Sequence, residues 1–175
     1  MSLDAALEER IVLSLVGLAQ DSIAPAVTSG VKTNLSYTFK NNNANPFHYD
    51  AQPVALELGD GTVIGVKNPT GGTRALRVDM RLDNAGNIVS GVAGDDFVMT
   101  GQVTIDGAPF NGTTALPLLR GEVRDFGQKF LPGNAEFETE VVLSGGLLTA
   151  APFHFRVGET LGLLIHYPNP TVPSF

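Results

Sequence analysis

Apolar and polar residues alternate with a period of two along most of this chain. Between residues 31 and 40, one side of an extended chain would carry Val31, Thr33, Leu35, Tyr37 and Phe39, and the other side the polar residues between them. This alternation predicts a strand with one buried and one solvated face. It returns at Val54, Leu56 and Leu58; at Leu76, Val78, Met80 and Leu82; at Phe97, Met99, Val103 and Ile105; at Phe137, Thr139, Val141 and Leu143; at Phe153, Phe155 and Val157; and at Leu161, Leu163, Ile165 and Tyr167.

Turn-forming residues separate these runs. Glycine supplies backbone conformations that other residues rarely adopt, and Asn and Asp close turns with their own side chains. The turn signals are Gly59-Asp60-Gly61, Gly71-Gly72, Asp83 to Asn87, Gly94-Asp95, Asp106-Gly107, Pro132-Gly133-Asn134, Gly145-Gly146 and Gly158-Glu159. Roughly eight to ten short strands at this spacing predict an all-β fold, an antiparallel β-sandwich or jelly-roll-like domain over residues 31–167.

The first 20 residues follow a different period. Apolar residues recur at spacings of three and four, Ser2 is available as an N-cap, and Asp4 falls in the first turn. These features predict a short N-terminal amphipathic helix over residues 1–20. Its apolar stripe packs either on the chain's own sheet or against a second subunit. The candidate self-association residues are Leu7, Ile11, Leu15 and Leu18.

The same segment has a second interpretation as a secretory signal. Ile11 to Ala19 has about the length of a signal-peptide core, and Gly17-x-Ala19 resembles a cleavage site. The residues before it are net acidic, whereas a secretory signal begins with basic residues. We therefore expect an uncleaved helix.

The predicted domain is flanked by segments outside the strand pattern. Residues 21–30 form a linker that contains Pro25, and residues 168–175 form a proline-rich tail. Proline cannot donate a hydrogen bond in a sheet, so this tail cannot be a central strand. It is a loose end or an arm that crosses a neighbouring subunit.

Charge and composition restrict the partners. The chain has 175 residues, and 18 acidic against 11 basic residues give a net charge of -7. Because the Lys and Arg residues are scattered, we expect no nucleic-acid partner. Zero Cys excludes disulfides, thiolate metal sites and cysteine nucleophiles. No apolar run reaches the roughly 18–20 residues of a membrane-spanning helix, so we expect no membrane span.

Two groups of residues are candidate metal ligands. Three histidines could bind a metal only if they converge, and outward-facing strand positions are the simpler interpretation of His48, His154 and His166. Calcium is the one cofactor that the sequence suggests, because it takes six to eight carboxylate, amide and carbonyl oxygens. The candidate calcium ligands, which ordinary turn chemistry also explains, are Asp83, Asn84, Asn87, Asp95 and Asp96.

Catalytic signatures are absent from the sequence. It contains no nucleophile elbow, phosphate-binding glycine loop or zincin motif. A glycosidase needs two facing carboxylates, and the acidic residues on the predicted strands mark no pair in particular: Glu57, Asp79, Glu122, Asp125, Glu136, Glu138 and Glu140. The last three are expected to be the solvated face of one strand. Carbohydrate-binding faces often carry aromatic platforms, but there is no Trp and only three Tyr.

The strand-and-turn stretches from Leu82 to Gly101, from Leu119 to Gly127 and from Ala135 to Leu147 carry a family resemblance. They resemble uncharacterised β-rich domains in secreted or cell-surface proteins of planctomycete-like bacteria, over roughly residues 50–166. The resemblance implies an extracellular or cell-surface location and a structural or adhesive role. It implies no catalytic residues.

These observations lead to three hypotheses. The first is a non-enzymatic extracellular structural or adhesive subunit that self-associates as a homo-oligomer or polymer into a surface layer, filament or shell. The second is a calcium- or carbohydrate-binding β-sandwich module with a polysaccharide partner. The third is a carboxylate-dependent hydrolase.

Overall fold

A computed structural model describes residues 22–23, 34–38, 44–53, 55–57, 63–131, 134–150 and 155–168. These residues form strands almost throughout. The elements are β1 (Ser22–Ile23), β2 (Asn34–Tyr37), β3 (Asn45–Ala51), β4 (Ala55–Glu57), β5 (Val63–Gly65), β6 (Ala75–Leu82), β7 (Ile88–Ser90), β8 (Phe97–Ile105), β9 (Ala108–Gly112), β10 (Leu119–Leu131), β11 (Asn134–Gly145), a 3-10 turn (Leu147–Thr149) and β12 (Thr160–Pro168).

Eight strands lie side by side in one open sheet, in the order β1-β12-β11-β10-β8-β6-β3-β2. Every pairing is antiparallel except the short parallel contact of β1 with β12. In addition, β7 pairs with β6, β9 pairs with β8, and β4 and β5 form a separate two-stranded sheet. The all-β class is confirmed; the sandwich or jelly-roll arrangement stays a prediction.

One face of this sheet carries the core. On that face Leu76, Val78, Met80 and Leu82 of β6 and Phe97, Met99 and Val103 of β8 are at most 1% exposed, as the period of two predicts. Phe47 of β3 meets Phe126 of β10 and Phe137 of β11, with ring centroids 5.1 and 5.5 Å apart. In a flat sheet β3 and β10 would be about 14 Å apart, because neighbouring strands are about 4.8 Å apart. The sheet is therefore strongly curved around its core.

Three expectations about the strands were wrong. Residues 155–159 form a turn before β12 instead of a strand. Glu138 is fully buried although it lies on the face of β11 opposite the core, so the predicted row of solvated glutamates does not hold there. The longest strand, β10, was not predicted, because the register shift between Val123 and Asp125 interrupts its alternation.

The predicted N-terminal helix (residues 1–20) with Leu7, Ile11, Leu15 and Leu18 lies outside the described residues. Of the predicted linker (21–30), only Ser22 and Ile23 are described, and they form β1; of the predicted tail (168–175), only Pro168 is described, at the end of β12.

Candidate functional site

The outward face of β3, β6 and β8 carries a polar cavity, here called the outer groove. Its volume is about 290 Å³. Strand residues form its floor, and Thr73 and Thr114 on two loops form its wall; the floor residues are His48, Asp50, Ala75, Arg77, Val98 and Thr100. A second cavity of about 150 Å³ adjoins it beside residues 69–73 and shares its threonines. The groove therefore lies on rigid strands and is walled by loops.

His48 and Asp79 form a hydrogen-bonded pair at one end of the outer groove. They are direct partners across β3 and β6, and His48 Nδ1 lies 2.5 Å from Asp79 Oδ1. Arg77 Nε lies 3.3 Å from the other carboxylate oxygen of Asp79. An ionised carboxylate only accepts, so Nδ1 carries the proton and donates it. In the neutral ring, Nε2 is then left as an acceptor.

Asp50 and Arg77 face each other across the same two strands. Among the described residues, the Asp50 carboxylate has no hydrogen-bond or ion-pair partner, and Arg77 forms its ion pair with Asp79 through Nε. The Asp50 oxygens and the terminal nitrogens of Arg77 are thus available to a bound molecule.

The threonine end of the groove is held by hydrogen bonds to its loops. Thr100 Oγ1 accepts from the backbone N–H of Ala75 at 3.0 Å and lies 3.5 Å from the Thr73 carbonyl oxygen, to which it donates. The neighbouring Thr70 N–H donates to Asn111 Oδ1 at 2.8 Å. These contacts fix the 69–73 loop against β8 and β9.

A second polar cluster lies next to the groove and contains two of the candidate calcium ligands. Asp96 is 3% exposed, and its carboxylate accepts from the backbone N–H groups of Val92 at 2.6 Å and Val123 at 3.3 Å. Asp95 accepts from the Ser144 hydroxyl and lies 3.5 Å from Arg120 Nη1. Asp95 therefore joins this loop to β10 and β11, and Asp96 joins it to β10.

Glu122 on β10 belongs to the same cluster. Burial raises the pKa of its carboxyl above the ordinary value, and the negative charge of Asp96, a hydrogen bond with the Asp96 carboxylate and the charge of Asp95 act in the same direction. Arg124 opposes these effects. Burial and the two neighbouring carboxylates therefore favour the protonated form of Glu122 relative to an ordinary Glu.

The other candidate calcium ligands lie in the turn between β6 and β7. The Asp83 carboxylate accepts from the N–H groups of Ala85 and Asn87 and from the Asn87 side chain, and these bonds lower its pKa. Asn84 accepts from Asn45 at 3.0 Å. This turn lies about 13 Å along β6 from Asp79. The backbone N–H of Asp79 donates to the main-chain oxygen of Asp96, so the turn is equally far from the Asp96 cluster.

The five candidate ligands are thus in two separate places. Within the part of the chain that the structure describes, no group of three or more His, Cys, Asp or Glu side chains is arranged to hold a metal. Calcium binding stays a prediction.

His48 faces outward on its strand, as predicted. His154 and the side chain of His166 lie outside the described residues. The partnership of His48 with Asp79 was missed, although both residues had been singled out, because the sequence does not show which strands are neighbours.

No helix in the described part of the chain is long and apolar enough to cross a membrane. Comparison with family models, with characterised proteins and with solved structures gives no match to this chain. The resemblance to planctomycete β-rich domains therefore stays a prediction.

Proposed function

We propose that this protein is a non-enzymatic binding domain that holds a polar ligand in its outer groove. The observation that carries the proposal is the convergence of Asp50, Arg77 and His48 in one cavity of about 290 Å³. Ligand sites combine a concave surface with a few polar groups that fix the orientation of the ligand. Here these groups stand on neighbouring strands, so they are positioned before a ligand arrives.

The arrangement of the carboxylates supports binding rather than hydrolysis. A glycosidase separates its two carboxyl groups so that the scissile bond lies between them. Asp96 instead lies close enough to Glu122 to raise the pKa of its carboxyl, and Asp96 is buried with backbone N–H groups on its oxygens. The carboxylate-dependent hydrolase is therefore the weakest of the three hypotheses.

The curvature of the sheet supports a finer proposal about the fold. Contact of Phe47 with Phe126 brings two halves of one sheet face to face, which is the arrangement of a sandwich or jelly roll. The binding domain would then use one outward face of such a scaffold.

A titration of the ¹⁵N-labelled protein with sugars, amino acids and inorganic phosphate tests the binding proposal. Amide shifts concentrated at Thr73, Arg77, Thr100 and Thr114 are the expected result. The hairpin turn at Asp106-Gly107, which is exposed and remote from the groove lining, provides the internal reference. Shifts confined to other regions, or no shift with any compound, would contradict the proposal.

We propose the self-associating structural or adhesive subunit as the second function. The apolar stripe of Leu7, Ile11, Leu15 and Leu18 supports it, and so does the resemblance, which also suggests the extracellular or cell-surface location. Light scattering of the full chain and of a variant lacking residues 1–20 tests it. Loss of an oligomer on deletion is expected, and a monomer in both cases would rule it out.

Calcium binding is proposed on the acidic turns alone. A ligand that binds only the native state raises the melting temperature. A rise with calcium, and none with magnesium at equal ionic strength, is the expected outcome. An unchanged melting temperature at millimolar calcium would remove the proposal.

A further inference from the structure

We infer that the outer groove binds a neutral sugar, whose neighbouring hydroxyl groups are held by Asp50, Arg77 and His48. This inference rests on the proposed binding function and adds the class of ligand. It also assigns the three side chains as the groups that determine specificity.

The Asp50 carboxylate and the Arg77 guanidinium together offer a ligand one hydrogen-bond acceptor and one hydrogen-bond donor. Asp50 and Arg77 are direct cross-strand partners, yet no ion pair joins them among the described residues. A carboxylate only accepts hydrogen bonds, and a guanidinium only donates them. A hydroxyl group does both, so one ligand hydroxyl can donate to Asp50 while it accepts from Arg77.

His48 adds a second acceptor on the same face. It stands two residues before Asp50 on β3, and the two side chains therefore project from the same side of the sheet. The Nδ1–H group donates to Asp79, which leaves Nε2 of the neutral ring to accept. A ligand with adjacent hydroxyl groups can donate one to His48 and another to Asp50.

The charges around the groove favour a neutral ligand. A carboxylate or phosphate that approached Arg77 would also meet Asp50 directly opposite, and an ammonium at Asp50 would meet Arg77. Like charges that close repel each other. At the other end of the groove, Thr73 and Thr114 add side chains whose hydroxyl groups can both donate and accept.

A free amino acid is the competing ligand, because its ammonium and carboxylate could lie against Asp50 and Arg77 respectively. The hydroxyl-bearing wall and the acceptor at His48 favour the sugar. The experiment includes both classes.

The test is a titration of the full chain with neutral mono- and disaccharides, a uronic acid, free amino acids and inorganic phosphate, followed by ¹⁵N NMR. Neutral sugars are expected to shift the groove amides, and Asp50→Asn and Arg77→Gln are each expected to weaken binding about tenfold or more, since each removes a hydrogen bond to a charged group. Asp106→Asn and Arg81→Gln are the matched controls, because they make the same changes at exposed positions outside the groove lining. Both controls should bind like the parent protein.

Melting curves of all four variants check that they fold, and His48→Gln provides a third groove variant if one of them does not. Groove shifts with amino acids or phosphate but not with sugars would overturn the inference and leave the proposed function standing. No groove shifts with any compound would overturn both. Sugar binding that persists in Asp50→Asn and Arg77→Gln would overturn the assigned residues.

Discussion

At the scale of single residues, the buried carboxylate of Asp96 holds three segments together. The main-chain carbonyl oxygen of Asp96 accepts from the Asp79 N–H at 2.8 Å, and the Asp96 carboxylate accepts from the N–H groups of Val92 and Val123. Burying a charge is costly unless hydrogen bonds compensate it. The neighbouring Gly91 is required as well, because a side-chain carbon at this position would overlap the Asp96 carboxylate.

Glu122→Gln is expected to stabilise the protein at neutral pH. The raised pKa of Glu122 means that the native state binds more protons than the unfolded state above pH 4.5, the ordinary value for Glu. Its contribution to stability is therefore fully present below that pH and is lost as the pH rises through the folded-state pKa. Gln keeps an N–H donor for Asp96 and cannot ionise. The expected gain at pH 7 is about 0.5–1 kcal/mol, the scale of a partly exposed charge pair.

Urea denaturation of both proteins at pH 4 and pH 7 measures this difference. Glu140→Gln makes the same chemical change on the neighbouring strand β11 and serves as the control. If Glu122→Gln and Glu140→Gln changed the free energy of unfolding by the same amount at both pH values, the raised pKa of Glu122 would have no role in stability.

At the scale of elements, β9 shows how an open strand edge is protected. The two-residue turn Asp106-Gly107, with φ of 50° and 79°, joins β8 to β9, as the Asp-Gly signal predicts. In this register the backbone groups of Ile105 and Ala108 hydrogen-bond to each other. The backbone N–H of a residue other than proline at position 109 would therefore point away from β8. The bond from the Gln102 N–H to the Lys67 carbonyl confirms this alternation. Pro109 therefore removes the outward donor at its own position on this edge.

Pro109→Val is expected to promote association through this edge. It restores an outward N–H and adds a residue that favours strands. The protein should show a concentration-dependent increase in mass by light scattering at millimolar concentration. Ala108→Val is the control, because the N–H of residue 108 already points to β8. Equal behaviour of the two variants would show that the proline does not protect the edge.

The predictability of an element depended on how regular its alternation was. β6 and β8 alternate without interruption, and the predicted inward residues Leu76, Val78, Phe97 and Met99 are buried. β10 contains Gly121, Gly127 and a register shift, so its apolar residues do not alternate regularly along the whole strand. For this reason the sequence did not predict it. β3 begins Asn-Pro and was not among the predicted alternating runs, although His48 was expected at a strand position and Phe47 and Tyr49 are buried on it.

At the scale of the whole molecule, the Phe47 cluster holds the curved sheet closed. Phe47 joins β3 to β10 and β11, and the rings of Phe126 and Phe137 stack at 5.9 Å. The contacts of Phe47 connect strands that are not neighbours in the sheet, whereas Phe126 and Phe137 lie on the paired strands β10 and β11. They carry the tertiary packing on which the outer groove depends, because the opposite face of β3 forms its floor.

Phe47→Ala is expected to lower the free energy of unfolding by about 3–5 kcal/mol, the usual cost of truncating a buried Phe. Chemical denaturation measures the loss. Val63→Ala, at a side chain that is 64% exposed, should change stability by less than about 0.5 kcal/mol. A comparable effect of the two substitutions would mean that Phe47 does not hold the sheet together.

The sequence by itself determined the all-β class, most of the inward-facing residues and several turns, because alternation and turn chemistry depend on residues close together in the chain. Only the tertiary structure decided which strands are neighbours. His48 meets Asp79 over 31 positions, and Asp96 meets Val123 over 27. Period-two alternation identifies the two faces of a strand but not its partner or register, which depend on how the whole sheet curves and packs. For the same reason the sequence singled out His48 and Asp79 separately and missed Asp50 and Arg77, which only the fold brings together in one groove.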